Sequence, residues 1–249
     1  MKKTFLQHPK AILTTMVQAE TPERVKELID KSLSLGAEAF GMQFERMNPE
    51  YRKKEIYKEL FSYTDKPVYV TNYRTVRNEG KTDELLAEEM LELSECGATL
   101  CDVMGDLFDK RPDEVATDEH AIEKQKNLID ELHKRGSEVV MSSHVLKFTP
   151  AERVLEIARE HERRGADISK IVTYADNSEQ QLENMRIINI LKANLNIPFL
   201  FLAGGECRIL RRIGGELGCC MYLCVCEYDE FATPVQPLLE NVKAIRDNI

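Results

Sequence analysis

Two residues carry the strongest chemical signal in this chain. Lys170 stands inside the short apolar run Ala166-Asp167-Ile168-Ser169-Lys170-Ile171-Val172-Thr173. His144 closes a second run, Val139-Val140-Met141-Ser142-Ser143-His144, about 26 residues earlier. A lysine within a buried strand must lose its charge or find a use for it. With Ile168, Ile171 and Val172 around it, the amine is expected to be desolvated, its pKa lowered, and able to attack a carbonyl as an imine-forming nucleophile. A histidine at the carboxyl end of a neighbouring strand titrates in the range needed to carry protons beside it. The plain alternative is a lysine paired to a carboxylate and a structural histidine. Their placement on adjacent predicted strands favours the chemical reading. The other histidines, His8, His120, His133 and His161, fall at the N-terminus or on polar helices and read as solvated.

Further polar groups fall where loops are predicted. Arg74 follows Tyr69-Val70-Thr71-Asn72-Tyr73, and Glu79-Gly80 comes soon after. A carboxylate at Glu79 could orient His144; alternatively Arg74 and Glu79 form an ion pair that closes their loop. Arg208, Arg211 and Arg212 cluster near the start of a short helix, where one guanidinium can grip a substrate carboxylate with a forked pair of hydrogen bonds and the rest form a basic face. Gln236, in Thr233-Pro234-Val235-Gln236, is either a helix cap or an amide donor to a ligand.

These groups need a scaffold, and the chain supplies a repeating one. Helical segments end in glycine and a short strand follows at once, at Leu35-Gly36-Ala37, Cys96-Gly97-Ala98, Arg135-Gly136-Ser137 and Arg164-Gly165-Ala166. Strands are predicted at Ala11–Val17, Ala39–Phe44, Pro67–Thr71, Thr99–Met104, Glu138–Ser142, Ile168–Thr173, Pro198–Leu202 and Cys220–Val225. Helices are predicted at Pro22–Leu35 with Thr21 as cap, Glu50–Tyr63, Asp83–Glu95, Asp118–Arg135, Pro150–Arg164 with Thr149 as cap, Ser178–Asn194 and Gln236–Ile249. A short helix near Cys207–Leu217 is expected to be interrupted by Gly214-Gly215. Strands alternating with helices imply a parallel sheet, and eight such units imply an α/β (β/α)8 TIM barrel, read as a single domain over residues 1–249. An open doubly wound sheet would need a glycine-rich phosphate loop after its first strand, and none is present. In a barrel the chemistry belongs at the carboxyl ends of the strands.

Bulk composition narrows the function. The chain has 249 residues, 43% hydrophobic, and a net charge of −9. That balance argues against nucleic acid or an anionic membrane as partner, while leaving a small anionic substrate open. No apolar stretch is long enough to span a bilayer. The start, Met1-Lys2-Lys3-Thr4-Phe5, has a basic pair without an apolar segment after it, so no signal peptide is read. Seven cysteines, odd in number and mostly in apolar runs, fit reduced thiols in a cytoplasmic protein. Cys219, Cys220, Cys224 and Cys226 read as core-strand cysteines, since no C-x-x-C or paired histidine accompanies them to make a metal site.

Taken in order, Ser143-His144, Thr149-Pro150 and Gly165-Ala166-Asp167-Ile168-Ser169-Lys170-Ile171 resemble the type I 3-dehydroquinate dehydratases. Arg211 and Pro234-Val235-Gln236 fit the late Ser-Arg and Ala-Pro-Gly-Gln segments of that family. Tyr73-Arg74-Thr75 with Glu79-Gly80 fits its Phe-Arg-Thr…Glu-Gly segment, with a loop one residue longer. The resemblance implies a (β/α)8 barrel, a homodimer, and no metal or diffusible cofactor. It also implies a lysine imine at Lys170, proton transfer by His144 helped by Glu79, and a carboxylate held by Arg211, with Arg74 and Gln236 as further contacts. Part of the substrate-recognising shell departs from the family. Its glutamate falls on Gly41, its arginine on Gln43, its late serine on Ala232, and the aspartate after its histidine on Val145; its Ser-Met-Gly becomes Leu202-Ala203-Gly204. Gln43 then meets the substrate with an amide, and Glu45 with Arg46 stand close by as replacements. On this reading, restoring Gly41→Glu with Gln43→Arg should improve the site for 3-dehydroquinate. Two other functions stay open: an imine-forming dehydratase or aldolase with a different keto acid, and a degenerate barrel that binds a small carboxylate.

Overall fold

A computed structural model describes residues 3–6 and 8–249; the basic start at Met1 and Lys2 lies outside the described residues. The strands are β1 (Ile12–Val17), β2 (Ala39–Gln43), β3 (Val68–Thr71), β4 (Leu100–Met104), β5 (Glu138–His144), β6 (Ile168–Thr173), β7 (Phe199–Ala203) and β8 (Met221–Cys224). The helices are α1 (Pro22–Ser34), α2 (Lys54–Ser62), α3 (Asp83–Glu95), α4 (Glu119–Lys134), α5 (Ala151–Arg163), α6 (Ser178–Asn194), α7 (Leu210–Leu217) and α8 (Leu239–Asp247). All strand pairs are parallel, in the order β7-β6-β5-β4-β3-β2-β1-β8. The eight strands wrap into a nearly closed barrel with the helices outside, as the alternation predicted.

Local chemistry explains the punctuation. Thr21 accepts the amide of Arg24 at the start of α1, and Pro22 fills the first helical position. Val25, Leu28 and Ile29 then recur at helical spacing and are buried. At helix ends Gly97 and Gly165 sit at φ of 113° and 95°, a region that costs glycine little. The amides of Ala98 and Ala166 fold back onto Leu93 and His161 carbonyls, so each chain turns directly from helix into strand.

Four details differ from expectation. Thr149 does not cap α5: its hydroxyl goes to the Lys147 carbonyl, and Pro150 stands at the cap without a side-chain bond. The helix expected from Glu50 opens as a 3-10 turn at Pro49–Tyr51 and becomes α-helical only at Lys54. Arg52 has been drawn in between to bond Met47, Phe44 and Asn78. The last helix starts at Leu239, because Val225 pairs its amide with Pro237 and accepts from Leu239. Gly214-Gly215 does not break α7. A Cβ on Gly215 would lie 2.4 Å from the Tyr222 ring and 2.5 Å from Ala11, so this glycine allows α7 to press onto the barrel.

The barrel closes at a thin seam. Between β7 and β8 the Cys220 amide bonds the Phe199 carbonyl at 2.9 Å. One step along, the Cys219 thiol takes the place of a ladder partner, accepting from the Phe201 amide at 3.4 Å and facing the Phe201 carbonyl at 3.7 Å. Cys219, Cys224 and Cys226 are buried, and burial pushes the Cys219 thiol up to about 12. Replacing Cys219 with valine leaves the Phe201 backbone groups unpaired in the interior. Urea denaturation of Cys219→Val should show a loss of about 1–3 kcal/mol, with Cys219→Ser losing less because its hydroxyl still bonds.

Candidate active site

Alternation along β6 aims Ser169 at the helices and Lys170 into the barrel. Ser169 bonds His161 of α5, at 2.9 Å. Lys170, opposite Ser142 on β5 and Leu200 on β7, reaches across the interior toward β3 and β4. Its Nζ lies 3.0 Å from the Tyr69 hydroxyl, 2.6 Å from the Tyr73 hydroxyl and 3.1 Å from Asp102 Oδ2. Three acceptors match the three N–H donors of an ammonium. Asp102 is equally saturated. Both tyrosines donate to Oδ2, and Ser142 donates to Oδ1 at 2.5 Å. Burial pushes the Asp102 carboxyl up, but the Lys170 charge and the three hydroxyls outweigh it and hold it below its ordinary value. Burial, then the Asp102 charge, drives the two phenols well above theirs. The amine expected to sit among apolar side chains is instead held in a polar nest and paired to a carboxylate.

His144 ends β5 at the mouth, and its ring meets Tyr73 edge-on with centroids 5.3 Å apart. One carboxylate oxygen of Glu114 accepts both the His144 amide at 2.7 Å and Nδ1 at 2.8 Å. A carboxylate can only accept, so Nδ1 carries the proton and Nε2 is left as the basic nitrogen. Glu79, expected in this role, is exposed. Glu114 has no signature in the sequence, because the loop after β4 runs beyond Asp109 and no spacing links residue 114 to residue 144.

That loop is shaped from below. Glu114 takes φ of 49°, its amide bonds Arg111, and its carbonyl accepts the Ser143 hydroxyl at 2.7 Å. Ser143 has one proton, so His161 Nε2 must donate to it across 3.0 Å, while His161 Nδ1 accepts from Ser169. His161 is fully buried, contrary to the solvated reading, and burial holds it down at about 3. Arg164 donates to the carbonyls of Gly105 and Ala116 and to Gln125, each at 2.8 Å. Arg74, expected to meet substrate, grips Asp83 with both arms of its fork at 2.7 Å and Asp106 at 2.6 Å. It ties the β3 and β4 loops together and closes its loop through partners other than Glu79.

The remaining candidates ring the mouth. Arg211 is buried in the first turn of α7, its Nε on the Ala203 carbonyl at 3.1 Å, just past β7. It makes no ion pair among the described residues, and burial lowers it to about 10. Arg208 is exposed and Arg212 half-buried, consistent with a basic face. Gln236 is buried after β8, with its Oε1 unpartnered among the described residues. Gln43 accepts from Arg46 Nε at 3.1 Å. Glu45 is buried against the Thr71 hydroxyl at 2.9 Å, and burial raises its carboxyl.

Residues 13–245 match the family described as type I 3-dehydroquinase. The chain belongs to that family. It is 28% identical to the 3-dehydroquinate dehydratase of Pyrococcus abyssi over 236 residues, 94% of this chain and 96% of that one. It is 31% identical to the 3-dehydroquinate dehydratase of Alkaliphilus oremlandii over 100 residues, 39% of each. Among solved structures, the 3-dehydroquinate dehydratase of Geobacillus kaustophilus shares the fold with a TM-score of 0.81 at 17% identity, covering 99% of this chain and 95% of that one. The type I enzyme of Clostridium difficile, solved with covalently modified comenic acid, gives 0.80 at 16% identity, covering 97% and 93%.

Within the 3-dehydroquinase barrel, Gly41 has a physical reason of its own. A Cβ there would lie 2.4 Å from Met16 Sδ and 3.0 Å from the Tyr69 ring. The end of the Met16 side chain, with the edge of the Tyr69 ring beside it, occupies the space a Cβ would need. Contrary to the expected benefit of Gly41→Glu with Gln43→Arg, a side chain at Gly41 disturbs this packing. The double variant should lose about 1–3 kcal/mol of stability through overpacking and show lower turnover, both read from one preparation by thermal melting and assay.

His161 also sets an acid limit. The native state keeps it neutral to about 3, whereas an unfolded histidine takes up a proton near 6.5. Stability is therefore retained above pH 6.5 and lost progressively as pH falls toward 3. Between pH 7 and 5 the loss should be about 2 kcal/mol by urea denaturation, and His161→Gln should remove that part of the slope.

Proposed function

We propose that this protein dehydrates 3-dehydroquinate to 3-dehydroshikimate through an imine on Lys170, with His144 as general base and then general acid. The observation that carries this reading is the buried Lys170 Nζ in the barrel interior, with a histidine of fixed tautomer across the Tyr73 ring. Family membership and the names of the relatives support 3-dehydroquinate as the substrate. The amine attacks the ketone and water leaves as the imine forms. The imine draws electrons and acidifies the neighbouring C–H. His144 Nε2 takes that proton and returns it to the β-hydroxyl as the C–O bond breaks. Glu114 stabilises the imidazolium between the two transfers. Arg211, buried without a counter-ion among the described residues, suits a substrate carboxylate, and Gln236, buried after β8 with its Oε1 unpartnered among the described residues, offers an amide to the substrate. Water then hydrolyses the imine and frees Lys170.

Two experiments check the reading. Wild-type protein with 3-dehydroquinate should raise the absorbance of the conjugated product, and borohydride during turnover should add mass to the peptide containing Lys170. Lys170→Arg should abolish both, because arginine stays protonated; a label on Lys147 would overturn the assignment. Arg211→Ala should lower kcat/KM about 10²-fold through loss of charged hydrogen bonds. A second reading keeps the imine and changes the keto acid, favoured by the filled space at Gly41. It is selected if another keto acid traps on Lys170 and 3-dehydroquinate does not.

A further inference from the structure

We propose that the Tyr73 hydroxyl is the proton relay of imine formation, passing protons from the Lys170–Asp102 pair to the ketone oxygen that departs as water. This rests on the Lys170 imine reading. Converting an ammonium and a ketone into a protonated imine forms one C–N bond, breaks one C–O bond and moves two protons from nitrogen to oxygen. His144 is not bonded to Lys170; its Nδ1 is committed to Glu114. The groups that touch Nζ are Asp102, Tyr69 and Tyr73.

The balance closes with these groups alone. Asp102 accepts the first proton from Nζ and frees the lone pair. The amine attacks the carbonyl carbon and the π electrons move to oxygen. Tyr73 gives its O–H to that oxygen while taking a proton from the nitrogen 2.6 Å away, leaving a neutral carbinolamine. Tyr73 then gives its proton to the carbinolamine hydroxyl while taking the one Asp102 holds, across the 2.5 Å contact between them. Water leaves, the nitrogen lone pair forms the C=N bond, and Asp102 is again a carboxylate. The phenol ends each exchange as it began, so its strong resistance to ionisation in this site is no obstacle. Tyr73 rather than Tyr69 is assigned because Tyr69 is 1% exposed, whereas Tyr73 is half-buried on the loop past β3 and meets His144 edge-on.

The test follows the appearance of the borohydride-trapped Lys170 adduct with 3-dehydroquinate, in a rapid-quench series in H2O and D2O. Tyr73→Phe keeps the ring edge on His144 and removes only the hydroxyl. It should slow adduct formation tenfold or more, and the solvent isotope effect of the wild type should fall toward unity. Tyr69→Phe should keep that isotope effect. In wild-type protein the rate should curve with deuterium fraction, as expected for more than one proton in flight. An unchanged time course in Tyr73→Phe, a slowed one with the isotope effect intact, or a wild-type rate indifferent to D2O would each overturn the relay. Absence of any Lys170 adduct in the wild type is a separate result, which removes the imine reading itself.

Discussion

The Lys170–Asp102 contact is the constraint around which the barrel is arranged. Two charges removed from water are stable only when their remaining donors and acceptors are met. Here the lysine finds three acceptors, and the carboxylate finds Ser142 and two phenols in addition. These partners come from β3, its following loop, β4, β5 and β6. Losing either charge would strand the other, at a cost of about 3–5 kcal/mol. The pair therefore fixes the inward register of four strands as firmly as apolar packing does, and the same saturation prepares the amine for chemistry.

A second layer of polar contacts governs the histidine. Glu114 can hold both the amide and Nδ1 of His144 only because its loop is bent into a left-handed residue and tied down. Ser143, His161, Arg164 and Gln125 supply those ties from β5, α5 and α4. Buried neutral His161 and buried Arg164 are costly groups that are offset by the strand hydroxyls and loop carbonyls they satisfy. Arg74 does comparable work for the neighbouring loop through Asp83 and Asp106.

Packing at β2 reaches as far as the lysine's partners. Met16 lies closest to the space above Gly41, with the edge of the Tyr69 ring next to it, so a side chain on β2 there would have to displace Met16 and press on the tyrosine that steadies Lys170. Further along the same segment Gln43 is linked to Arg46, and Glu45 is buried against Thr71. Gly41 and the tyrosine beside Lys170 thus share one packed interior, where a change at one is felt at the other.

Much of this was legible in the chain itself. Glycine stops, helix caps and apolar periodicity act over a few residues, so the alternation of eight strands and helices, and with it the parallel barrel, could be read in order. The buried lysine and the strand-terminal histidine were legible because polar residues are conspicuous in apolar runs. What pairs with them was not. Asp102 lies 68 residues from Lys170, and Glu114 lies 30 from His144; local rules carry no information over such separations. Exposed Glu79 and committed Arg74 looked suitable because the chain places them near the right strand end, but side-chain partners are chosen by distance in space. The burial of His161 and the crowding at Gly41 were equally hidden, since packing against a neighbouring element has no signature in the element's own sequence. Local propensity determined the scaffold. Tertiary closure of the barrel decided which charges meet inside it.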